Sequence, residues 1–408
     1  MLRYLVFVLY YALCAATAAA EPVDSIMRAA EEQKAAYLKT LEQLVNLDSG
    51  TDDGEGLPKV ETVLAERLRD LGASVEISDA APSVGKVILG RFDGKGERSI
   101  LLMDHYDTVF LPGDAQKRPF KIEGNRAFGP GVADAKGGIS IILHALQILK
   151  DQGFTNYKTI TVLFNADEER SSIGSRDQIR RVALDHDYAL SYEPPEEDQV
   201  TVATNGIAFV HLRVKGVASH AGSAPEKGRN AAIELAHQLL QLQNLGDPKK
   251  GTTVNWTVVR AGEKINIIPD AAEATADMRL SDVSELVRVQ NDGEAIIKDK
   301  LIPETEVSFN VENRRPPFSR NAPSENLAAI ASRIYNEMGK SLKVGVMRFG
   351  TDAGYAWNPT NPRPAVLETL GLLGSKIHTP QEYAELDSIV PRLYLSVRLV
   401  QTLCGSKG

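Results

Sequence analysis

The chain runs to 408 residues, 43% of them hydrophobic and 25% charged, a share that can fill the cores of two or three globular domains and excludes a disordered or fibrous protein. A formal charge of −8, with no Lys/Arg-rich run, removes nucleic acid and anionic membrane from the expected partners.

Residues 1–20 place Arg3 ahead of an apolar run and finish on the small residues Ala18 and Ala20. This pattern predicts a secretory signal peptide cleaved near Ala20/Glu21, hence a secreted or periplasmic protein free of the membrane. An uncleaved anchor is the alternative, for which the run is short. Cleavage removes Arg3, the leader's one charge, so the total moves from −8 to −9, and it leaves Cys404 as the sole cysteine. With no intramolecular disulfide possible, the core and any bound metal must supply the stability.

The spacing predicts amphipathic helices from Ser25 to Leu47 and from Lys59 to Leu71. Short uninterrupted apolar runs follow at Ile100–Met103, Ile160–Phe164, Tyr188–Leu190 and Ala365–Leu367, as strands buried on both faces of a parallel sheet require. Between the first two, Ile139, Ile142, Leu143, Leu146 and Leu149 are spaced as one face of a crossover helix. A mostly parallel α/β domain is expected. Further on the period changes: Ala208, Val210, Leu212 and Val214 alternate as in a half-exposed strand. Helices are expected over Asn230–Leu245 and Ser284–Leu301, and strands over Thr252–Val259, Ala272–Leu280 and Glu306–Val311. That β-α-β-β-α-β order is the order of a ferredoxin-like sandwich. Sheet patterning then resumes and closes on a helix with the face Leu393, Val397, Val400 and Cys404. The expected division is one α/β domain formed by residues 21–204 and 318–408, with residues 205–317 inserted into it.

Acidic and histidine clusters stand just beyond the expected strand ends: Asp104-His105-Tyr106-Asp107, Asp134 ahead of Lys136-Gly137-Gly138, Asp167-Glu168-Glu169, and Glu193-Pro194. Ligands of open α/β sheets bind outside the carboxyl ends of the strands, so these clusters should converge. Any one of them alone reads as a cap or a solvated loop; together, with His378 in a glycine-flanked loop, they read as a site. Crowded carboxylates raise one another's pKa, and divalent cations relieve the crowding. Imidazole mixed with carboxylate and no available cysteine suits Zn²⁺, with Co²⁺ or Mn²⁺ as substitutes, better than Mg²⁺ or Ca²⁺. Five ligands are too many for one open tetrahedral site, whereas with one bridging carboxylate they divide into two three-ligand sites.

Met103-Asp-His-Tyr-Asp-Thr108, Gly129-Pro-Gly-Val-Ala-Asp-Ala-Lys-Gly-Gly138, Asn165-Ala-Asp-Glu-Glu-Arg170, Ser191-Tyr-Glu-Pro194, Gly216-Val-Ala-Ser-His-Ala-Gly222, Asn266-Ile-Ile-Pro269 and Gly350-Thr-Asp-Ala353 form a set of motifs. On these motifs the chain, from about residue 30 to 403, resembles the M20 metallopeptidase family, and within it the bacterial glutamate carboxypeptidases. The resemblance implies a di-metal catalytic domain, two Zn²⁺ per subunit, an inserted lid domain that forms a homodimer, and a small peptide or N-acyl amino acid as substrate. It implies that Asp134 bridges one metal held by His105 and Glu193 and another held by Glu169 and His378. Asp107 would orient His105, and the unligated Glu168 would act as general base. His220 would polarise the scissile carbonyl oxygen. Arg279, Asn266 and Gly350 would hold the substrate, and Arg315 would supply a further substrate-binding arginine. Lys136 is read as neutralising surplus acid, with Gly137 and Gly138 opening a helix; His144, His186, His211 and His237 match no motif and are expected to be structural. The acidic segment Pro194–Gln199 has no lysine where the glutamate enzymes carry one near the substrate, which leaves glutamate preference open. An N-acyl-amino-acid amidohydrolase and a non-catalytic exported binding protein are the alternatives; an unligated Glu168 argues against the second.

Overall fold

The computed structural model describes residues 21–361 and 363–405, so the expected leader lies outside the described residues. Helices α1 (Asp24–Val45) and α2 (Leu57–Leu71) come first. Each buries one stripe at three- and four-residue steps, Tyr37, Leu41 and Leu44 on α1 and Val60, Leu64 and Leu68 on α2. Helix α2 has a proline in its first turn, where an amide is not needed, and stops at Gly72, whose φ of 105° suits only glycine. There follow β1 (Ser74–Asp79), β2 (Lys86–Asp93), β3 (Ser99–His105), α3 (Lys136–Asp151), β4 (Thr159–Asn165), α4 (Arg176–Leu184) and β5 (Tyr188–Ser191). The next stretch carries β6 (Gly206–Lys215), α5 (Ala231–Gln241), β7 (Thr253–Ala261), β8 (Ala271–Leu280), α6 (Ser284–Ile296) and β9 (Glu306–Arg315). Helix α7 (Ala322–Glu337), β10 (Ala365–Leu367) and α8 (Ile389–Gly405) complete the larger unit.

The large sheet has the order β1-β2-β4-β3-β5-β10. Strands β4, β3, β5 and β10 are parallel, whereas β1 and β2 form an antiparallel edge. Every residue of β3 and β4 is buried, which is why their sequences are unbroken apolar runs ending in polar residues. The sequence reading missed β1 and β2 because their burial is mixed along the strand and no such run forms. Helices α1, α3 and α8 pack together as one layer, so the crossover helix lies where a parallel connection requires it.

The smaller sheet, β7-β8-β6-β9, is wholly antiparallel. Burial alternates along β6 and β8, and their inward residues form a separate core with Leu235 of α5 and Val289 of α6. Strands β6 and β9 are neighbours, so the chain enters and leaves this unit side by side, as an insertion demands. At the crossing point a Cβ on Gly206 would come within 2.8 Å of the Pro317 backbone. Two helices are shorter than the spacing suggests. Helix α5 passes into a 3₁₀ turn at Leu242–Asn244, and α6 ends before Asp299, whose carbonyl oxygen accepts the side-chain amides of Gln238 and Gln241.

Candidate active site

The carboxyl end of β3 delivers His105, the loop before α3 delivers Asp134, the turn after β4 carries Glu168 and Glu169, and the segment beyond β5 carries Glu193. His105 Nε2 lies 3.1 Å from Asp134 Oδ1 and 3.6 Å from Glu193 Oε1. His378 Nε2 lies 3.1 Å from Asp134 Oδ2 and 3.2 Å from Glu169 Oε2. Two triads result, His105/Asp134/Glu193 and Asp134/Glu169/His378, each with donor atoms within 4.8 Å of one another. Asp134 belongs to both and turns one oxygen to each imidazole. His378 has a φ of 61°, a left-handed conformation costly for a residue with a Cβ and of the kind that binding sites retain.

His105 Nδ1 lies 3.1 Å from the Asp107 carbonyl oxygen and 3.2 Å from Asp107 Oδ1, so Nδ1 carries the donated proton when the ring is neutral and the Nε2 lone pair faces the triad. The buried Asp107 carboxylate also accepts the Thr51 hydroxyl at 2.9 Å and the amides of Glu168 and Glu169 at 3.1 and 3.2 Å. One side chain thereby fixes an imidazole and the turn that carries two neighbouring acids. Glu382, which the sequence reading did not single out, accepts the amides of Gly131, Ala133 and Asp134 at 3.1, 2.9 and 3.0 Å and so shapes the Asp134 loop. Its partners are backbone groups far along the chain, and no motif could have revealed it. A Cβ on Gly138 would meet Tyr192 O at 2.1 Å and Asp104 Oδ2 at 2.3 Å, so only glycine lets α3 start this close to the sheet. Lys136 is buried within the field of Glu382 and Asp48. Its ammonium donates to the carbonyls of Leu47 and Pro130 at 2.9 and 3.3 Å rather than directly to a carboxylate, and burial pushes it down to about 8 against the opposing pull of Glu382 and Asp48.

Charge is shared unevenly in the cluster. Burial, then the Asp134 charge, pushes Glu169 up to about 8, and burial drives Glu193 well above the usual carboxylate range. Hydrogen bonds to Asp134 and Glu169 raise His378 to about 11. Burial opposes the charged form of His105, yet Glu193, Asp107 and Asp134 outweigh it and hold the ring well above its ordinary value. Burial likewise opposes ionised Asp134, but the two imidazoles pull it below the carboxylate range. Both imidazoles are therefore pushed towards the protonated form when no cation is bound.

Glu168 belongs to neither triad. Its Oε1 accepts a short hydrogen bond from Arg315 Nη1, and its carbonyl oxygen accepts Nη2. Arg315, expected to be a substrate-binding arginine, is thus turned onto Glu168. A register shift at Asn313/Arg315 re-aims the last residue of β9 inward, where it is 2% exposed. Gly350, also read as a substrate residue, accepts Arg315 Nη1 on its carbonyl at 2.7 Å and leaves no room for a Cβ beside Arg315 Cδ. Arg279 is half-buried and closes in bidentate fashion on Asp277, with both bonds 2.9 Å. Asn266 is exposed, and its carbonyl accepts the Ala221 amide at 3.0 Å, which pins it to the loop bearing His220. His220 is exposed and accepts the amides of Gly222 and Ser223 on Nδ1 at 3.1 and 3.0 Å, an arrangement that leaves an N–H donor on Nε2. Among the described residues no hydrogen bond or ion pair joins His220, Asn266 or Arg279 to the triads. The remaining histidines bond within the fold: His144 to Thr40 and Gln33, His186 to Thr161, His211 to Glu312 and His237 to Gln241.

Carboxylates and imidazoles gathered at the strand ends of an α/β sheet, with a base held beside them and a small sandwich domain alongside, define a metal-dependent hydrolase. Comparison with known proteins agrees. Residues 101–402 match peptidase family M20/M25/M40, and the chain belongs to that family. Carboxypeptidase G2 of Pseudomonas sp. (strain RS-16) is 41% identical over 98% of this chain and 97% of its own. A tripeptidase from Staphylococcus aureus Mu50 superposes with a TM-score of 0.77 at 21% identity, covering 91% of this chain and 99% of that one. The YXEP protein of Bacillus subtilis, described as a dinuclear metal-binding peptidase, gives 0.67 at 14% identity over 92% and 99%. The chain is accordingly a glutamate carboxypeptidase-like metallo-exopeptidase.

Proposed function

We propose that the chain holds two divalent cations, Zn²⁺ first and Co²⁺ or Mn²⁺ as substitutes, and cleaves the amide bond to a C-terminal residue with a free α-carboxylate. His105, Asp134 and Glu193 would hold one cation, and Asp134, Glu169 and His378 the other. The observation that carries this reading is the division of Asp134, with Oδ1 and Oδ2 each 3.1 Å from a different imidazole. A donor set of nitrogen and carboxylate oxygen without thiolate fits zinc-like ions. Such ions, when bound, polarise the scissile carbonyl and favour attack by water at neutral pH. Glu168 takes the proton of the attacking water and passes it to the leaving amine, and Asp107 keeps His105 and the Glu168 turn in place. His220, through its Nε2–H, donates to the carbonyl oxygen as charge develops there. Arg279, with Asn266, receives the substrate α-carboxylate, which requires its pairing with Asp277 to open or to be shared.

The charge of the acidic segment after Glu193 is compensated in part by Lys343 and by Arg392, 3.7 Å from Asp198. Glu197 pairs with Lys343, Asp198 accepts the Tyr335 hydroxyl at 2.7 Å, and Glu196 bonds Ser375. Glutamate at the C-terminus is thus retained as the favoured residue. The inserted domain is assigned to a homodimer contact on its edge strand β7, paired on one side only and with Val258 and Val259 exposed, and on Ile233 and Leu240 of α5. Export with loss of the leader is part of the same reading; among the described residues no helix is long and apolar enough to cross a membrane. The deciding experiment is hydrolysis of N-acyl and dipeptide substrates, varied at the C-terminal residue, by protein of measured metal content. Metal-loaded protein that cleaves none of them would overturn the proposal, and a preference for N-acylated leucine would favour an amidohydrolase instead.

A further inference from the structure

We infer that Arg315 is a positioning residue that aims Glu168, supplied by the inserted domain to the catalytic one; this rests on Glu168 being the base, as proposed above. The guanidinium grips Glu168 twice, by Nη1 on the carboxylate and by Nη2 on the carbonyl oxygen, so both the side chain and its own peptide are restrained. A fork that spans the two ends of one residue fixes its rotamer as well as its place. From the opposite side Asp107 takes the amides of Glu168 and Glu169. The base is therefore held at its amide by one domain and at its carbonyl and carboxylate by the other.

Arg315 is itself held. Nη1 also donates to Gly350 O at 2.7 Å, and Asp352 stands 3.8 Å from Nη2. Asp352 cannot swing away, because its oxygens accept Ser172 Oγ and, at 2.8 Å, Asn165 Nδ2 at the end of β4. The Tyr355 hydroxyl lies 2.7 Å from both Ser171 O and Arg314 O, which stitches the Glu168 turn to the end of β9. Only Nε of the guanidinium lacks an acceptor, and it is enclosed. To read a substrate carboxylate, Arg315 would have to leave Glu168, Gly350 and the field of Asp352 together, and the buried Glu168 carboxylate would lose its counter-charge.

The test uses the metal-loaded full-length enzyme with Arg315→Gln and Arg315→Lys, assayed on matched substrates ending in Glu, Gln and Leu. Mis-aiming a general base costs turnover and leaves ground-state binding intact, so Arg315→Gln should lower kcat by roughly 10²-fold on all three alike. KM should stay within about twofold and metal content should be unchanged, while Arg315→Lys, which keeps the cation but not the fork, should recover part of kcat. A loss confined to the Glu-ending substrate and carried by KM would overturn the inference and return Arg315 to the substrate. So would an unchanged kcat. If Arg315→Gln does not fold, the same division of kcat and KM is read from Arg315→Lys. Glu168→Gln, run beside them, separates the two claims: if it retains full kcat, the base assignment fails whatever Arg315 does.

Discussion

Asp107 bonds His105, Thr51 and two backbone amides through one buried carboxylate, so its removal should be felt by both triads. Asp107→Ala is expected to weaken metal binding by about 10- to 100-fold, the usual cost of losing the partner that orients a ligand imidazole, and competition with a chromogenic chelator would measure it. Glu168→Gln should behave in the opposite way. It removes a base and no ligand, so metal content should stay intact while kcat falls by several orders of magnitude, and loss of metal with activity would place Glu168 among the ligands. His220→Ala should lower kcat more than it raises KM, because its donor meets full charge only in the transition state; an unchanged kcat would return His220 to the surface. These residues were legible because each follows a buried apolar run or stands in a motif. Glu382 was not, since its work is done on backbone amides; Asp352 stood in the Gly350–Ala353 motif, but the hydroxyl and the amide it accepts are brought to it only by folding. Arg315 was visible as an arginine, but the β-bulge that turns it inward leaves no mark in the residue order.

Elements were legible where burial is uniform or strictly alternating, as in β3, β4, β6 and β8, and blurred where it is neither, as in β1 and β2. The packing of α1 on α3 carries a pH dependence of its own. His144 of α3 bonds Thr40 and Gln33 of α1, both at 2.8 Å, and burial, then the charge of Arg67, lowers it from 6.5 to about 4. Between those values the unfolded chain binds a proton that the folded chain refuses, so stability is lost as pH falls from 6.5 towards 4. Linkage sets the size at about 2 kcal/mol between pH 7 and pH 5. Urea unfolding at both pH values should therefore show a smaller drop for His144→Gln than for the wild type, and equal drops would mean that His144 titrates alike folded and unfolded.

At the scale of the whole molecule, the inserted domain was visible as a change of hydrophobic period, and its return to the parent sheet followed from the apolar run at Ala365–Leu367. A contact with a second copy would leave no such signature. The domain's edge strand and exposed Leu240 nonetheless predict a dimer in sedimentation at micromolar concentration, dissociated by Leu240→Glu; a wild-type monomer would remove the contact and leave the chemistry standing. The metal centre bears on the larger domain in a different way. Among the described residues Cys404 is the only cysteine, and the two triads tie together the loop before α3, the turn after β4, the segment beyond β5 and the loop of His378. Cations that bind only the folded chain stabilise it by about 4 kcal/mol at a thousand times their Kd. Chelation should therefore abolish activity and also lower Tm by several degrees, and Zn²⁺ or Co²⁺ should restore both at about two ions per subunit. Without cations His378 is held at about 11 and Glu169 at about 8, so an ion entering their triad must expel protons. Apparent affinity should then rise with pH through neutrality. Calorimetric titration in buffers of differing ionisation heat would count the protons released. No release, or full activity in metal-free protein, would mean that the triads are not where the cations bind.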